Sequence, residues 1–216
     1  MIDYTAARQN MVLSQLEPNR VTDPAVIAAM GAVPRERFVP GARSGLAYAD
    51  EDIEVAPGRY LMEPMVLGRL LQEARVQPGD AVLDVGGCTG YSAAVLARLA
   101  NTVVMLEEDA GLFALAGQTL ASLAVDAAVV AGPLGAGLAD QGPYDVILLN
   151  GSVPEVPRAL LDQLADGGRL LAVVGQLPVC RAMQYVRRGD RIVSRVLFDA
   201  AVPALPGFAA PRGFVF

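Results

Sequence analysis

The sequence contains no histidine, only two cysteines, and no run of basic residues longer than two. Without histidine, Ser–His and Cys–His nucleophile schemes and any imidazole general base are excluded. Cys88 and Cys180 lie far apart and belong to no ligand-spaced set, so no metal site is expected. A formal charge of −6 and a pI near 4.7 leave no electrostatic footprint for a phosphate backbone, and nucleic acid is not an expected partner. The apolar stretch 110–125 is the one candidate for a membrane span. Gln118, Thr119 and Ser122 interrupt it, Asp109 and Asp126 flank it, and about 20 apolar residues are needed to cross, so no membrane association is expected. Asp3 and Arg8 stand where a signal peptide would place a basic end and then an apolar stretch, which points to a cytoplasmic location. Any catalysis must therefore use carboxylates, hydroxyls, backbone amides or positioning.

What is present is a regular alternation of apolar runs. The 216 residues suit one α/β domain, 1–216, with no repeat, low-complexity tract or dividing linker; nothing specifies an oligomeric state. Residues 4–16 and 24–30 predict an N-terminal helical layer, with Asp23 as cap and Pro24 at the first helical position. The stretch 33–58 is rich in proline and turn formers and predicts extended loops. Met65, Val66, Leu70, Leu71 and Ala74 recur at helical spacing. Strands are then predicted at 81–85, 102–106, 127–130, 145–149 and 169–174, with helices at 90–100, 110–123 and 157–164. This alternation means a mostly parallel, Rossmann-like doubly wound sheet covered on both faces. Runs 180–186 and 192–197 flank Gly189-Asp190 and predict an antiparallel hairpin at the sheet edge. The tail 208–216 is expected to pack on the chain's own sheet.

The most specific segment is 80–99. Val82, Leu83 and Val85 make a strand, Gly86, Gly87 and Gly90 a loop that lets a ligand approach the backbone, and an Ala/Leu-rich helix follows. In an open parallel sheet ligands sit beyond the carboxyl ends of the strands, where Gly86, Glu107 and Asn150 would all lie. Glu107 follows Gly86 by 21 residues, the span of a strand–helix–strand unit, and its carboxylate suits two ribose hydroxyls. Asp84 is placed to reach a charged methionine amine. The arrangement resembles the S-adenosylmethionine pocket of class I methyltransferases. A nicotinamide-binding domain is the rival reading, but it wants a third glycine inside the helix, which here reads Tyr91-Ser-Ala-Ala. The plain alternatives remain: a tight glycine turn, a capping Asp84 and a solvated Glu107.

Collinear blocks over most of the chain resemble the protein-L-isoaspartate O-methyltransferase family. They include Val33-Pro-Arg-Glu-Arg-Phe-Val-Pro40, Ala47-Tyr-Ala-Asp50, Gly58 with Pro64, the segment Val82 to Leu99, Tyr144-Asp-Val-Ile-Leu-Leu149, residues 153–164 and Gly167 to Gly175. The resemblance implies a transferase with S-adenosylmethionine as methyl donor and a protein or peptide carrying an isoaspartyl carboxylate as acceptor. Residues 1–64 would then supply the helical and acceptor-loop region, and 65–216 the donor-binding core. Such a carboxylate is already anionic near neutral pH, so the chemistry needs positioning rather than a strong base. Tyr48, Asp50 and the loop through Met62 would shape the acceptor groove, although Tyr48 and Asp50 could equally anchor a long loop.

Departures from the family pattern are concentrated in the same places. Where members carry Gly-Gln-Thr-Ile-Ser-Gln-Pro, this chain reads Gly58-Arg-Tyr-Leu-Met-Glu-Pro64, so Tyr60 and Met62 replace the threonine and serine. A thioether donates no hydrogen bond, and losing a donor to a charged group costs about 1.5–3 kcal/mol. Glu63 adds negative charge beside the acceptor, which Arg59 could offset. Cys88 replaces the middle loop glycine, as a small apolar filler or, alternatively, a redox group. Gly132-Pro133 stands where the family has an acid for the adenine amino group. A fold of this type that had lost transfer chemistry, kept as a cofactor-sensing or interaction module, is the alternative function.

Overall fold

The computed structural model describes residues 2–208. Asp3 caps α1 (Tyr4–Met11) by accepting from the amides of Thr5 and Ala6, and the helix continues as a wider coil over Val12–Leu16. Asp23 caps α2 (Pro24–Ala32), with Pro24 in the first turn, where its missing N–H costs nothing. The segment expected to be loop contains more order than that. It holds two short tight helical stretches, Arg35–Phe38 and Gly41–Leu46, and a hairpin of β1 (Ile53–Ala56) and β2 (Arg59–Leu61). Pro57-Gly58, with Gly58 at φ +68°, supplies the residue pair that a tight turn needs. Such short strands offer almost no alternation to read, which is why the hairpin is invisible in the pattern.

Beyond it come α3 (Pro64–Ala74), β3 (Ala81–Val85), α4 (Tyr91–Leu96), β4 (Thr102–Glu107), α5 (Ala110–Ser122) and β5 (Ala128–Ala131). The chain continues through β6 (Tyr144–Val153), α6 (Arg158–Asp162), β7 (Leu164–Gln176), β8 (Val179–Arg188) and β9 (Arg191–Asp199). Strands β3 to β9 form one seven-stranded sheet in the order β5-β4-β3-β6-β7-β8-β9. The first five are mutually parallel, and β8 and β9 are antiparallel additions at the edge. The expected doubly wound sheet and terminal hairpin are thus present. Helix α4 ends earlier than expected because Arg98 and Leu99 bond back to Val95 and Leu96, the three-residue spacing of a tightening last turn.

Side-chain alternation along the strands divides the core. Val82, Val146, Leu148 and Leu171 face the layer built with α2, α3 and α4, while Leu83, Val85, Ile147, Leu149 and Leu170 pack on the opposite face with Leu160 and Leu205. Of the C-terminal tail, Phe208 is buried in this second cluster; 209–216 lie outside the described residues. No described helix is long and apolar enough to cross a membrane.

The order in which strands are added reverses at β3, which has β4 on one side and β6 on the other, and the loops diverge there into a crevice. Strand β6 shifts register between Leu148 and Ser152, and this irregularity carries Asn150 and Gly151. A bulge of this kind re-aims side chains next to a site.

At the opposite end of the sheet, Arg169 ties the start of β7 to the end of α3. It donates to the carbonyls of Ala74, Arg75 and Asp145 and pairs with Asp80 at 2.6 Å. Arg169→Lys retains the charge but not the planar fork. It is expected to lose about 2 kcal/mol in urea unfolding; a variant as stable as the parent would show that charge alone holds this corner.

Candidate active site

Loops after β3, β4 and β6 converge with the β1–β2 hairpin at the carboxyl ends of the strands. Gly86, with φ +69°, begins the loop after β3, and Gly90, with φ +98°, caps α4. At Gly87 the close neighbour is internal, because a Cβ there would lie 2.5 Å from a carboxylate oxygen of Asp84. Cys88 occupies the left-handed region at φ +61°, where a side chain costs roughly 1–2 kcal/mol. Burial pushes its thiol up to about 12, so it stays protonated and behaves as a small apolar filler.

Asp84 is fully buried, and both of its oxygens are engaged: one accepts from Ser92 Oγ at 2.7 Å and the other from Asn150 Nδ2 at 2.7 Å. Burial raises its pKa to about 6, against those two hydrogen bonds, which lower it. Rather than reaching outward to a ligand amine, Asp84 joins β3, α4 and the β6 irregularity. Asn150 Nδ2 also donates to the Val85 carbonyl at 3.1 Å.

Glu107, at the end of β4, is not a solvated charge. Its Oε1 accepts from Arg59 Nη1 at 2.6 Å and from the amides of Glu108 and Asp109, and its Oε2 from Arg59 Nη2 at 2.6 Å and from the Cys88 amide at 3.1 Å. Glu107 is 0% exposed and Arg59 6%. Burial opposes the Arg59 charge, but the hydrogen bonds and charge of Glu107 outweigh it and hold the guanidinium pKa above its ordinary value. Arg59 therefore neutralises Glu107 instead of offsetting Glu63. Nothing in the sequence signals this pairing, because the partners are 48 residues apart and belong to separate sheets.

The acceptor side is also rearranged. Tyr48 faces the N-terminal layer, donating to Glu36 and accepting from Arg8 Nε at 3.0 Å, so it anchors the loop and does not line a groove. Asp50 is exposed. Two residues on, Asp52 turns inward and accepts from the Glu63 amide at 2.9 Å. Sequence reasoning missed Asp52, whose inward direction depends on the β1–β2 hairpin. Burial raises Asp52 to about 6; burial and the nearby Asp52 charge raise Glu63 to about 7.

Met62 is buried, and its carbonyl accepts from the buried Arg35, whose guanidinium also lies 4.7 Å from the Tyr91 ring centre. Gly132 donates its amide to the Glu107 carbonyl at 3.1 Å, and Pro133 leads into a tight turn at Leu134–Ala136.

Between these walls there is little room. One cavity of about 10 Å³ touches Asp52, Arg59, Tyr60, Met62, Asn150 and Leu205; another of about 10 Å³ touches Tyr60, Met62, Cys88, Tyr91, Ser92 and Asn150. Each suits about one water, whereas a cofactor-sized ligand needs about 300 Å³ or more. Leu205 closes the top, since a Cβ on Gly86 would fall 2.7 Å from its side chain. The residues expected around S-adenosylmethionine, Asp84, Gly86, Glu107 and Asn150, lie together here, but with Arg59 on Glu107 and Leu205 over Gly86 the space between them in this conformation does not accommodate a nucleoside. Among the described residues, no group of three or more His, Cys, Asp or Glu side chains could hold a metal ion.

Comparison with known proteins agrees with the fold and the residue pattern. A family model described as protein-L-isoaspartate(D-aspartate) O-methyltransferase matches residues 7–202. A protein-L-isoaspartate O-methyltransferase of Koribacter versatilis is 39% identical over 197 residues, covering 91% of this chain and 88% of that protein. Another of the same name from Methylorubrum extorquens is 38% identical over 207 residues, covering 95% and 91%. Among solved structures, a protein-L-isoaspartate O-methyltransferase superposes with a TM-score of 0.80 at 23% identity, over 93% of this chain and 67% of that one. A Plasmodium falciparum protein assigned to the same activity, solved with S-adenosyl-L-homocysteine, gives 0.79 at 19% identity, over 96% and 100%. The sheet order, the glycine loop with its partner acid on β4 and this likeness along nearly the whole chain lead to one conclusion: the chain belongs to the protein-L-isoaspartate(D-aspartate) O-methyltransferase family.

Proposed function

We propose that the chain is a protein carboxyl O-methyltransferase that takes its methyl group from S-adenosylmethionine and delivers it to the isoaspartyl carboxylate of a damaged protein or peptide. The observation that carries this reading is the family match across residues 7–202, together with the convergence of Asp84, Glu107 and Asn150 beyond the sheet's carboxyl edge. Residues 1–64 supply the acceptor wall and 65–216 the donor wall of one unit. Gly86, Gly87, Gly90 and Gly132 shape the donor side, and Tyr60, Met62 and the acids at its mouth shape the acceptor side.

An acceptor carboxylate is ionised near neutral pH and needs no base, which fits a chain without histidine. The protein's task is to orient it and exclude water. Met62 gives the acceptor a buried apolar contact but no hydrogen-bond donor. Asp52 and Glu63 decide when an anion is tolerated there. Protonated, they are neutral and able to donate; ionised, they repel it.

Two measurements test the reading. Incubation with an isoaspartyl peptide and methyl-labelled donor is expected to give base-labile ester. Met62→Ser is expected to form it about 10- to 100-fold faster, the equivalent of one restored donor to a charged group. Equal rates would remove Met62 from the acceptor site, and no ester from either protein at saturating donor would sink the assignment. Because Asp52 titrates near 6 and Glu63 near 7, the peptide KM is expected to rise as pH climbs from about 6 to 8. Glu63→Gln should flatten that rise; an unchanged profile would place the repulsion elsewhere.

A further inference from the structure

The Glu107 carboxylate, at the end of β4, lies between the glycine loop and the hairpin, and each of its oxygens accepts from Arg59 as well as from backbone amides of the loop and the turn after β4. A ribose diol offers the same two oxygens a pair of neutral donors. The guanidinium offers a parallel fork with full charge, and charge-assisted hydrogen bonds are roughly twice as strong as neutral ones. A nucleoside and Arg59 therefore cannot share Glu107, and the internal ligand has the stronger grip.

Leu205 adds a second obstruction. It is held over Gly86 by a strap whose backbone bonds to β6: Ser152 N–H to the Pro203 carbonyl at 2.9 Å and Leu205 N–H to the Ser152 carbonyl at 2.8 Å. Its side chain is 5% exposed and packs with Leu134 around the glycine loop.

The hairpin that carries Arg59 is joined to the seven-stranded sheet by side chains alone, through the Arg59–Glu107 pair and the packing of Ile53 and Leu61 in the core. Strands β1 and β2 pair only with each other, so lifting them breaks no bond of the seven-stranded ladder. Asp52 borders the same small cavity as Arg59 and gives a displaced guanidinium a second acid to meet. The residues that follow Arg59 are Tyr60 and Met62, so the movement that vacates the donor side also reshapes the acceptor side.

We propose that Arg59, seconded by Leu205, is an internal competitor for the ribose position, so that donor affinity is set by displacement of the β1–β2 hairpin from Glu107. This rests on the donor reading above and deepens it: Arg59 is the residue that determines how tightly this chain takes an adenosyl ligand. It is a determinant of affinity, not a catalytic residue.

Calorimetric titration with S-adenosylhomocysteine tests it without any turnover. Arg59→Gln places the neutral family residue at the hairpin and is expected to bind at least about tenfold more tightly than the parent. Leu205→Ala, which leaves the ion pair intact, should gain less, and adding Glu107→Gln to Arg59→Gln should remove the gain. Arg59→Lys keeps the charge but not the fork and should fall between parent and Arg59→Gln. Should Arg59→Gln fail to unfold cooperatively, the Lys variant decides alone, and affinity no better than the parent overturns the proposal. Equal, measurable affinity in parent and Arg59→Gln overturns the internal competitor while leaving the donor reading standing. No binding by any folded variant overturns both.

Discussion

The bidentate pair between Arg59 and Glu107 is the contact on which the rest of the site depends. It is buried, it joins a hairpin outside the main sheet to the end of β4, and it gathers the amides of Cys88, Glu108 and Asp109 around a single carboxylate. Burying a carboxylate is tolerable only when its charge is met and its lone pairs are filled. Here both conditions are satisfied from inside the chain. The glycine loop, the turn after β4 and the hairpin consequently hold one another in place with no ligand required.

A second buried cation performs the matching task for the loop through Met62. Arg35 is fully enclosed, donates to the carbonyls of Ala47 and Met62, and rests against Tyr91, which itself meets Phe38 edge-on at 5.6 Å. Desolvation lowers the Arg35 pKa, partly offset by Tyr91. Through these contacts the N-terminal layer, the loop through Met62 and α4 form one packed wall. Both arginines act by carbonyl and carboxylate recognition at fixed angles, a role a flexible ammonium would fill poorly.

Much of this was legible beforehand. Short apolar runs with helical stretches between them predicted the parallel sheet, and the glycine cluster before an Ala-rich helix located the crevice. Asp23 with Pro24 marked the start of α2. Other features were not legible. The β1–β2 hairpin is too short to show a period, and the inward turn of Asp52 instead of Asp50 follows from that hairpin. Tyr48 carried no sign that its hydroxyl would be held by Arg8 and Glu36. Asp84 was correctly placed at the strand end, but its direction was set by Ser92 and Asn150, which only the β6 irregularity brings near.

The sequence by itself determined the order of elements from α3 onward, the family and the positions of the acids and glycines around the crevice, because periodicity and turn chemistry are local properties of the chain. Only the tertiary structure decided what those acids touch. Whether Glu107 faces a ligand, water or Arg59 depends on two segments 48 residues apart meeting in a buried space, and Leu205 reaches Gly86 only because its strap bonds to Ser152 of β6. Charge pairing across such distances leaves no mark in local pattern, since its energy arises from burial that the folded chain alone creates.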